Sequence, residues 1–443
     1  MFLSFASIWV LFSGIHLCLG SSLPKVITQF APPAVQQSWA AYTPYFSVKP
    51  YTPPPRNCRI TQVNILQRHG ARFPTSGATT GILSAVTKLQ SAGLYTNPRL
   101  NFLRNYTYTL GKNGDLVPFG AFQSEEAGKV AYERYGRLIS QKNLPFVRAS
   151  SSVRVVNSAT NWTSGFSIAS NHVFNPELSV VLSESLNDTL DDSMCPNAGS
   201  SDPQTDTWTA IYGAPIAARL NSQALGSNLT AADISNLIPL CPFESAAKEE
   251  TSPFCAIFTA DDFAQFEYFG DLDKFYGTGY GQALGPVQGV GYVNELLARL
   301  TGTSVNDSTQ TNRTLDASPV TFPLDRSVYA DFSHDNQMAA IYAALGLFKQ
   351  PQPLDPTTPS RKRTWVTSHL TPFSARMVTE RLQCSARRNQ KTGAYVRILV
   401  NDALQPLEFC NGDQDGLCTL DAFVESQAFA RNNGAGDFEK CFN

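Results

Sequence analysis

The segment Arg68-His69-Gly70-Ala71-Arg72-Phe73-Pro74 sets two guanidinium groups beside one imidazole, directly after an apolar, strand-like run. Arginine offers a planar fork of donors that fits phosphate oxygens, and an unprotonated imidazole nitrogen is a competent nucleophile below neutral pH. That is equipment for phosphoryl transfer, and two other places could complete it. Pro145-Phe146-Val147 runs into Arg148-Ala149-Ser150, and Val328-Tyr329-Ala330-Asp331-Phe332 runs into Ser333-His334-Asp335-Asn336. Together these supply an outline for phosphomonoester hydrolysis. His69 attacks phosphorus, Arg68, Arg72 and Arg148 hold the oxygens, His334 adds a donor, and Asp335 protonates the leaving alcohol.

The remaining candidates read as structural. His172 and His369 lack charged company. Arg154 reads as a supporting ion-pair residue, and Asp188, Asp191 and Asp192 as a solvated acidic surface. Asn411 to Gly416 resembles part of a calcium loop but lacks the distal glutamate, so a tight turn is expected. HExxH, GxSxG, Walker and GxGxxG patterns are absent, and no metal or organic cofactor is expected.

Strand ends must position the site, since open α/β sheets bind ligands beyond the carboxyl ends of their strands. Strands are predicted over Ile60–Gln67, Leu144–Val147, Leu178–Leu182, Val328–Phe332 and Tyr395–Val400. Apolar spacing of three and four predicts helices over Ile82–Ser91, Ser124–Ser140, Ala159–Ala169, Gly291–Leu300, Asn336–Leu345 and Leu420–Asn432. Interleaved strands and helices imply an α/β sheet covered on both faces. The span 188–284 differs, with clustered aromatic helical fragments and two close cysteines, and is expected to be an inserted, mainly helical domain. The α/β domain then comprises 58–187 and 285–443, preceded by a proline-rich extended arm over 21–57.

Residues 1–20 form an uncharged apolar run ending in small residues, which predicts a cleaved secretory signal. Its removal leaves eight cysteines, an even number that fits four disulfides with 105 possible connectivities. The short intervals Cys241 to Cys255 and Cys410 to Cys418 suit local staples. Sequons at Asn105, Asn161, Asn187, Asn228, Asn306 and Asn312 mark glycosylation positions on a secreted chain. With 34 basic and 36 acidic residues the chain is not built for nucleic acid or a membrane surface, so an anionic substrate needs a local basic cluster. With no coiled-coil pattern, a monomer is expected.

The heptapeptide and the His-Asp pair identify the chain as resembling the histidine acid phosphatase family, whose signature is Arg-His-Gly-X-Arg-X-Pro followed distally by His-Asp. Tyr276-Gly277-Thr278-Gly279, Leu284 to Tyr292, Tyr329 to Asn336 and Val400-Asn401-Asp402 are similar to the fungal phytases of that family, above all those of basidiomycetes, which are often 6-phytases. The resemblance implies a phosphoglycerate-mutase-like α/β sheet domain, discontinuous in sequence, with the site between it and a helical domain. It also implies secreted hydrolysis of myo-inositol hexakisphosphate through a phosphohistidine, beginning at the 6-position. Tyr42, Thr75, Lys274 and Asn336 would then face the substrate. The implied disulfides are Cys58–Cys384, Cys195–Cys441, Cys241–Cys255 and Cys410–Cys418.

Some residues depart from the ascomycete members. Thr75 to Thr87 contains no lysine, Ala41 precedes Tyr42, and Asp273 precedes Lys274. Fewer cations imply a looser grip on a highly phosphorylated ring. A broad-specificity acid phosphatase is therefore the alternative within the class. A non-catalytic phosphate-binding glycoprotein is the alternative outside it.

Overall fold

The computed structural model describes residues 29–386 and 391–443, so the expected leader over 1–20 and the beginning of the arm lie outside the described residues. The main sheet contains β1 (Cys58–Arg68), β3 (Phe146–Ser150), β4 (Leu178–Leu182), β6 (Val328–Ser333), β7 (Arg376–Cys384), β8 (Gly393–Val400), β9 (Ala403–Leu404) and β10 (Cys418–Thr419). Two short strands, β2 (Leu94–Tyr95) and β5 (Ala224–Leu225), pair separately. The order across the main sheet is β10-β8-β7-β1-β6-β3-β4, with β9 on β8. From β1 to β4 the neighbours are parallel, and from β1 to β10 they are antiparallel.

This topology places the functional strand ends side by side. Arg68 lies opposite Ser333 in the β1–β6 register, so the two segments that follow leave the sheet together. Residues 62–68 of β1 and all of β6 and β3 are buried, as expected of strands covered on both faces. Helices Pro118–Tyr135 and Val153–Ala169 pack against one another beside β3, and helix Asp335–Leu345 follows β6 directly, ending at Gly346 in the left-handed region (φ 88°).

Within 188–284 the chain forms helices Asp202–Gln223, Ala231–Leu237, Leu240–Lys248 and Ala260–Gly277. Helix Ser76–Gln90 joins them from outside that span: Lys88 pairs with Asp233 at 2.7 Å, and β2 pairs with β5. The helical layer thus draws on residues before the insertion as well as within it. The arm is mostly irregular, with a short helix at Pro33–Gln36 and a turn at Ala40–Tyr42, and it buries Phe30 and Trp39 in the core. Cysteines join as Cys58–Cys384, Cys195–Cys441, Cys241–Cys255 and Cys410–Cys418. Among the described residues no helix is long and apolar enough to cross a membrane.

Candidate active site

His69 is buried immediately beyond β1, and its Nδ1 lies 2.8 Å from the Gly70 carbonyl oxygen. A carbonyl oxygen can only accept, so Nδ1 carries the proton and Nε2 keeps its lone pair. Nε2 has no hydrogen-bond partner among the described residues. Burial first, then the charges of Arg68, Arg154 and Arg72, push the imidazole pKa well below its ordinary value. The ring is therefore neutral and nucleophilic under acidic as well as neutral conditions. Gly70 permits this placement: a Cβ there would lie 2.1 Å from the Gly120 carbonyl oxygen, so the motif loop and helix Pro118–Tyr135 touch backbone to backbone. The Gly70 and Ala71 amides donate to Ser158 and Gln123, each at 3.0 Å, fixing the turn.

A cavity of about 240 Å³ opens here, between the sheet's carboxyl ends and helix Ala260–Gly277. The sheet side supplies Arg72, Arg154, His334, Asp335 and Asn336, the helix supplies Phe266, Phe269, Asp273 and Lys274, and the arm supplies Ala40 to Tyr42. Asp335, at the start of its helix, has its Oδ2 2.9 Å from Lys274 Nζ and 3.3 Å from Arg68 Nη2. Burial works to raise its pKa, but Arg68 and Lys274 outweigh burial and hold the carboxyl well below the usual carboxylate range. Lys274 also donates to Asn336 Oδ1 at 2.6 Å, and Asn336 Nδ2 donates to Asp192 at 3.1 Å. Tyr42 packs its ring against Phe243, with centroids 4.6 Å apart.

Arg148 does not reach this cavity. It lies inside β3, directly opposite Asp331 on β6, and its Nε donates to Asp331 at 2.8 Å. Its two terminal nitrogens donate to Glu295 at 3.2 and 2.6 Å, and its guanidinium stacks 5.1 Å from the Phe322 ring. Every face of the group is engaged in the core, and Arg299 completes the network on Asp331 at 2.6 Å. The expected third phosphate ligand is corrected accordingly. Because β3 runs to Ser150 rather than stopping at Val147, Arg148 is a strand residue whose side chain follows the sheet's alternation into the interior.

Arg154 stands where Arg148 was expected. The helix beginning at Val153 presents it from its first turn, and its Nη2 donates to His334 Nδ1 at 3.2 Å. Arg68, Arg72 and Arg154 each bury an Nε–H that has no acceptor among the described residues, a polar cost that a bound oxyanion would remove. Nothing about its neighbours in sequence separated Arg154 from an ordinary surface cation, although its position just after a strand and before an apolar helical pattern was visible.

His334 has both nitrogens occupied. Nδ1 accepts from Arg154, so Nε2 carries the proton and donates to Glu184 at 2.9 Å, with Asp191 at 3.6 Å. Glu184 was not anticipated. It also accepts from the Ser150 and Ser152 hydroxyls and the Ser152 amide, and its pKa is held down to about 2, chiefly by the hydrogen bond from His334. The expected solvated acidic surface is likewise corrected: Asp188 is fully buried beneath Ser150 at 2.7 Å, and Asp191 and Asp192 line the cavity. The loop after β4 carries this acidic stretch to the end of β6, where the Ser333 hydroxyl donates to the Leu190 carbonyl at 2.6 Å.

Thr75 is also placed otherwise than expected. Its hydroxyl caps helix Ser76–Gln90 by accepting from the Ala78 amide, and it does not line the cavity. His172 and His369 lie exposed and away from it, bonded to Ser167 and packed on Phe46. Sequon residues Asn105, Asn187, Asn228 and Asn306 are exposed, whereas Asn161 and Asn312 are half-buried. A larger depression of about 1010 Å³ runs along 302–326, but its charges are of mixed sign and no histidine or cysteine lines it.

Comparison with known proteins places the chain in a family. Residues 59–401 match the model of the histidine phosphatase superfamily (branch 2). Phytase A of Emericella nidulans is 41% identical, over 93% of this chain and 91% of the relative, and a Phytase A of Aspergillus terreus is 40% identical over the same shares. Among solved structures, the phytase from D. castellii superposes with a TM-score of 0.76 at 23% identity, covering 93% of this chain and 87% of its own. The Bifidobacterium longum multiple inositol polyphosphate phosphatase in complex with inositol hexasulfate gives 0.65 at 16%, covering 89% and 98%. With the heptapeptide, the His-Asp pair and the sheet that joins them all in place, the chain belongs to branch 2 of the histidine phosphatase superfamily.

Proposed function

We propose that the protein is a metal-independent phytase that hydrolyses phosphomonoesters of myo-inositol hexakisphosphate through a phosphohistidine on His69. The observation that carries this reading is the tautomer lock: Nδ1–H is held by the Gly70 carbonyl, and Nε2 is left free beside Arg68, Arg72 and Arg154. Nε2 attacks phosphorus as the ester P–O bond breaks. The three guanidinium groups take up the charge of the equatorial oxygens, and the leaving alkoxide takes its proton from Asp335. Water then attacks the phosphohistidine with Asp335 as base, the P–N bond breaks, and phosphate leaves.

Asp335 is ionised in the free site, so it becomes an acid only once substrate arrives. A bound phosphate draws Arg68 and Lys274 toward its own oxygens and adds negative charge, and both effects raise the carboxyl pKa. His334, held by Glu184, orients Arg154 through Nδ1. Substrate class rests on the relatives, which are named phytases, and on the neighbour that was crystallised with inositol hexasulfate. Attack beginning at the 6-position rests on the likeness to basidiomycete phytases. Secretion rests on the apolar leader and the four disulfides, which suit an oxidising compartment.

A second reading has its own support. Facing Arg68, Arg72, Arg154 and Lys274 are the carboxylates of Glu184, Asp191, Asp192, Asp273 and Asp335, so the free site has no net excess of positive charge. Such a pocket suits a broad-specificity acid phosphatase. Initial phosphate release from phytate and from p-nitrophenyl phosphate between pH 3 and 7, with EDTA present, separates the readings. Faster turnover of phytate supports the first, preference for the aryl ester supports the second, and dependence on metal overturns both.

A further inference from the structure

A buried pair of acidic side chains and a strained alanine outside the chemistry above meet behind the cavity. Glu267 and Asp271 lie one turn apart on the helix Ala260–Gly277, both buried, with Gly270 between them. Glu267 accepts from the Ala40 amide through Oε2 at 2.6 Å and from the Ser368 amide through Oε1 at 2.8 Å. Asp271 accepts from the Thr367 amide and from Arg363 Nε, each at 2.6 Å. One carboxylate therefore ties the N-terminal arm to the segment 367–371, although the two are more than 300 residues apart in sequence.

Both tied segments end on the same guanidinium. Arg68 Nη1 donates to the Ala41 carbonyl and, at 2.7 Å, to the Thr371 carbonyl, and its carbon lies 4.7 Å from the Phe373 ring centroid. Arg68 is fully buried, so those two carbonyls and the ring fix its plane. Ala40 holds the arm's end of this arrangement in a left-handed conformation (φ 50°), which an alanine adopts only when its surroundings impose it. What imposes it is visible: Glu267 grips its amide, and its Cβ occupies the space a side chain at Gly270 would take, 2.4 Å from where that Cβ would stand.

We propose that Glu267 and Gly270 form a clamp that holds strained Ala40 so that the adjacent Ala41 carbonyl orients Arg68, making both helix residues positioning residues for phosphoryl transfer. The claim deepens the phosphatase reading and rests on it. The clamp acts through backbone placement rather than substrate contact. Its effect therefore falls on kcat, where Arg68 stabilises charge in the transition state, more than on KM.

A double-mutant cycle tests it. In wild type, Gly270→Ala drives a methyl into the Ala40 Cβ and should lower kcat for p-nitrophenyl phosphate about 100-fold, the scale expected when a catalytic group is misplaced by about 1 Å. In an Ala40→Gly background the obstructing Cβ is gone, and the same substitution should change kcat less than about threefold. A merely structural role would give equal losses in both backgrounds, and equal losses with unchanged melting temperatures overturn the proposal. Glu267→Gln keeps the shape but lets only one amide be accepted; it should lower kcat with KM within about twofold, and an unchanged kcat in this folded variant likewise overturns it. Loss of the phosphatase reading itself would show as an inactive wild type. The cycle can then be read on inorganic phosphate affinity by calorimetry, where the same non-additivity supports the clamp and additivity overturns it.

Discussion

His69 donates from Nδ1 to the carbonyl oxygen of the very next residue, Gly70, at 2.8 Å. A one-residue loop of this kind fixes the ring plane and selects the tautomer without a carboxylate partner. It leaves the nucleophilic nitrogen fully available. Replacing His69 by alanine should therefore lower turnover of either substrate by about three orders of magnitude or more while the fold persists. Mass spectrometry of acid-quenched wild type should show a phosphate adduct on the peptide containing His69, and its absence with full turnover would assign the nucleophile elsewhere.

Arg154 and Arg148 should part company by measurement. Arg154→Ala should cost roughly 100-fold in kcat/KM with the melting temperature nearly unchanged, because the side chain faces the cavity. Arg148→Met should do the reverse, destabilising the protein by about 3–5 kcal/mol by leaving Asp331 and Glu295 short of a buried partner. Kinetics and thermal denaturation of the two purified variants decide the matter, and a stable but inactive Arg148 variant would restore the original assignment.

Asp335→Asn should separate substrates by leaving group. An inositol alkoxide needs a proton as it departs and p-nitrophenolate does not, so the variant should lose about 100-fold in kcat on phytate but much less on the aryl ester. Equal losses on both would move the acid role away from Asp335.

Stability should peak in mildly acidic solution. Burial pushes Asp188 up to about 6, so the folded state keeps that proton longer than the unfolded chain does, and ionising it makes stability fall as pH rises from about 4 through 6. Asp331 has the opposite sign: burial would raise it, but Arg148 and Arg299 prevail and hold it at about 2. Its contribution is complete above the unfolded value and is lost as pH falls from about 4 toward 2. Melting temperatures across pH 2 to 8 should rise and then decline, and a monotonic increase to pH 8 would contradict the assignment.

Asp192→Asn removes a half-buried carboxyl group that lines the cavity and meets Lys274 through Asn336. It should lower KM for phytate several-fold while changing that for p-nitrophenyl phosphate less than twofold, because only the polyanion feels the added positive balance strongly. No difference between the substrates would show that pocket charge does not set the preference.

Elements with a clear period were legible in the sequence. β1, β4, β6 and β8 lie on or within about two residues of their predicted spans, as do the helices Val290–Thr301 and Asp335–Leu345. β7 was not foreseen, because Arg376, Glu380 and Arg381 break its apolar pattern, and Glu380 is tolerated inside because Arg397 on β8 meets it at 2.5 Å and the Tyr135 hydroxyl donates to it at 2.7 Å. The helices of 188–284 were seen only as fragments, since helix Ala260–Gly277 buries Asp262, Glu267, Asp271 and Lys274 along with its aromatics. A helix that hides charges shows no polar face to read.

The residue sets that point to phosphoryl transfer were legible along the chain. Arg68, His69 and Arg72 are contiguous, His334 and Asp335 are adjacent, and such local sets keep their meaning wherever the chain carries them. Packing set which further arginine reaches the cavity, because strand alternation and the β3–β6 register turn Arg148 toward Asp331 while the next helix lifts Arg154 into the cavity. It decided, too, that Asp191, Asp192 and Glu184 crowd the cations, since those contacts join β4 and its following loop to a helix start about 150 residues later. Spacing along the chain specifies neighbours within a turn or a strand; the sign and balance of a pocket depend on distances that only the packed chain sets.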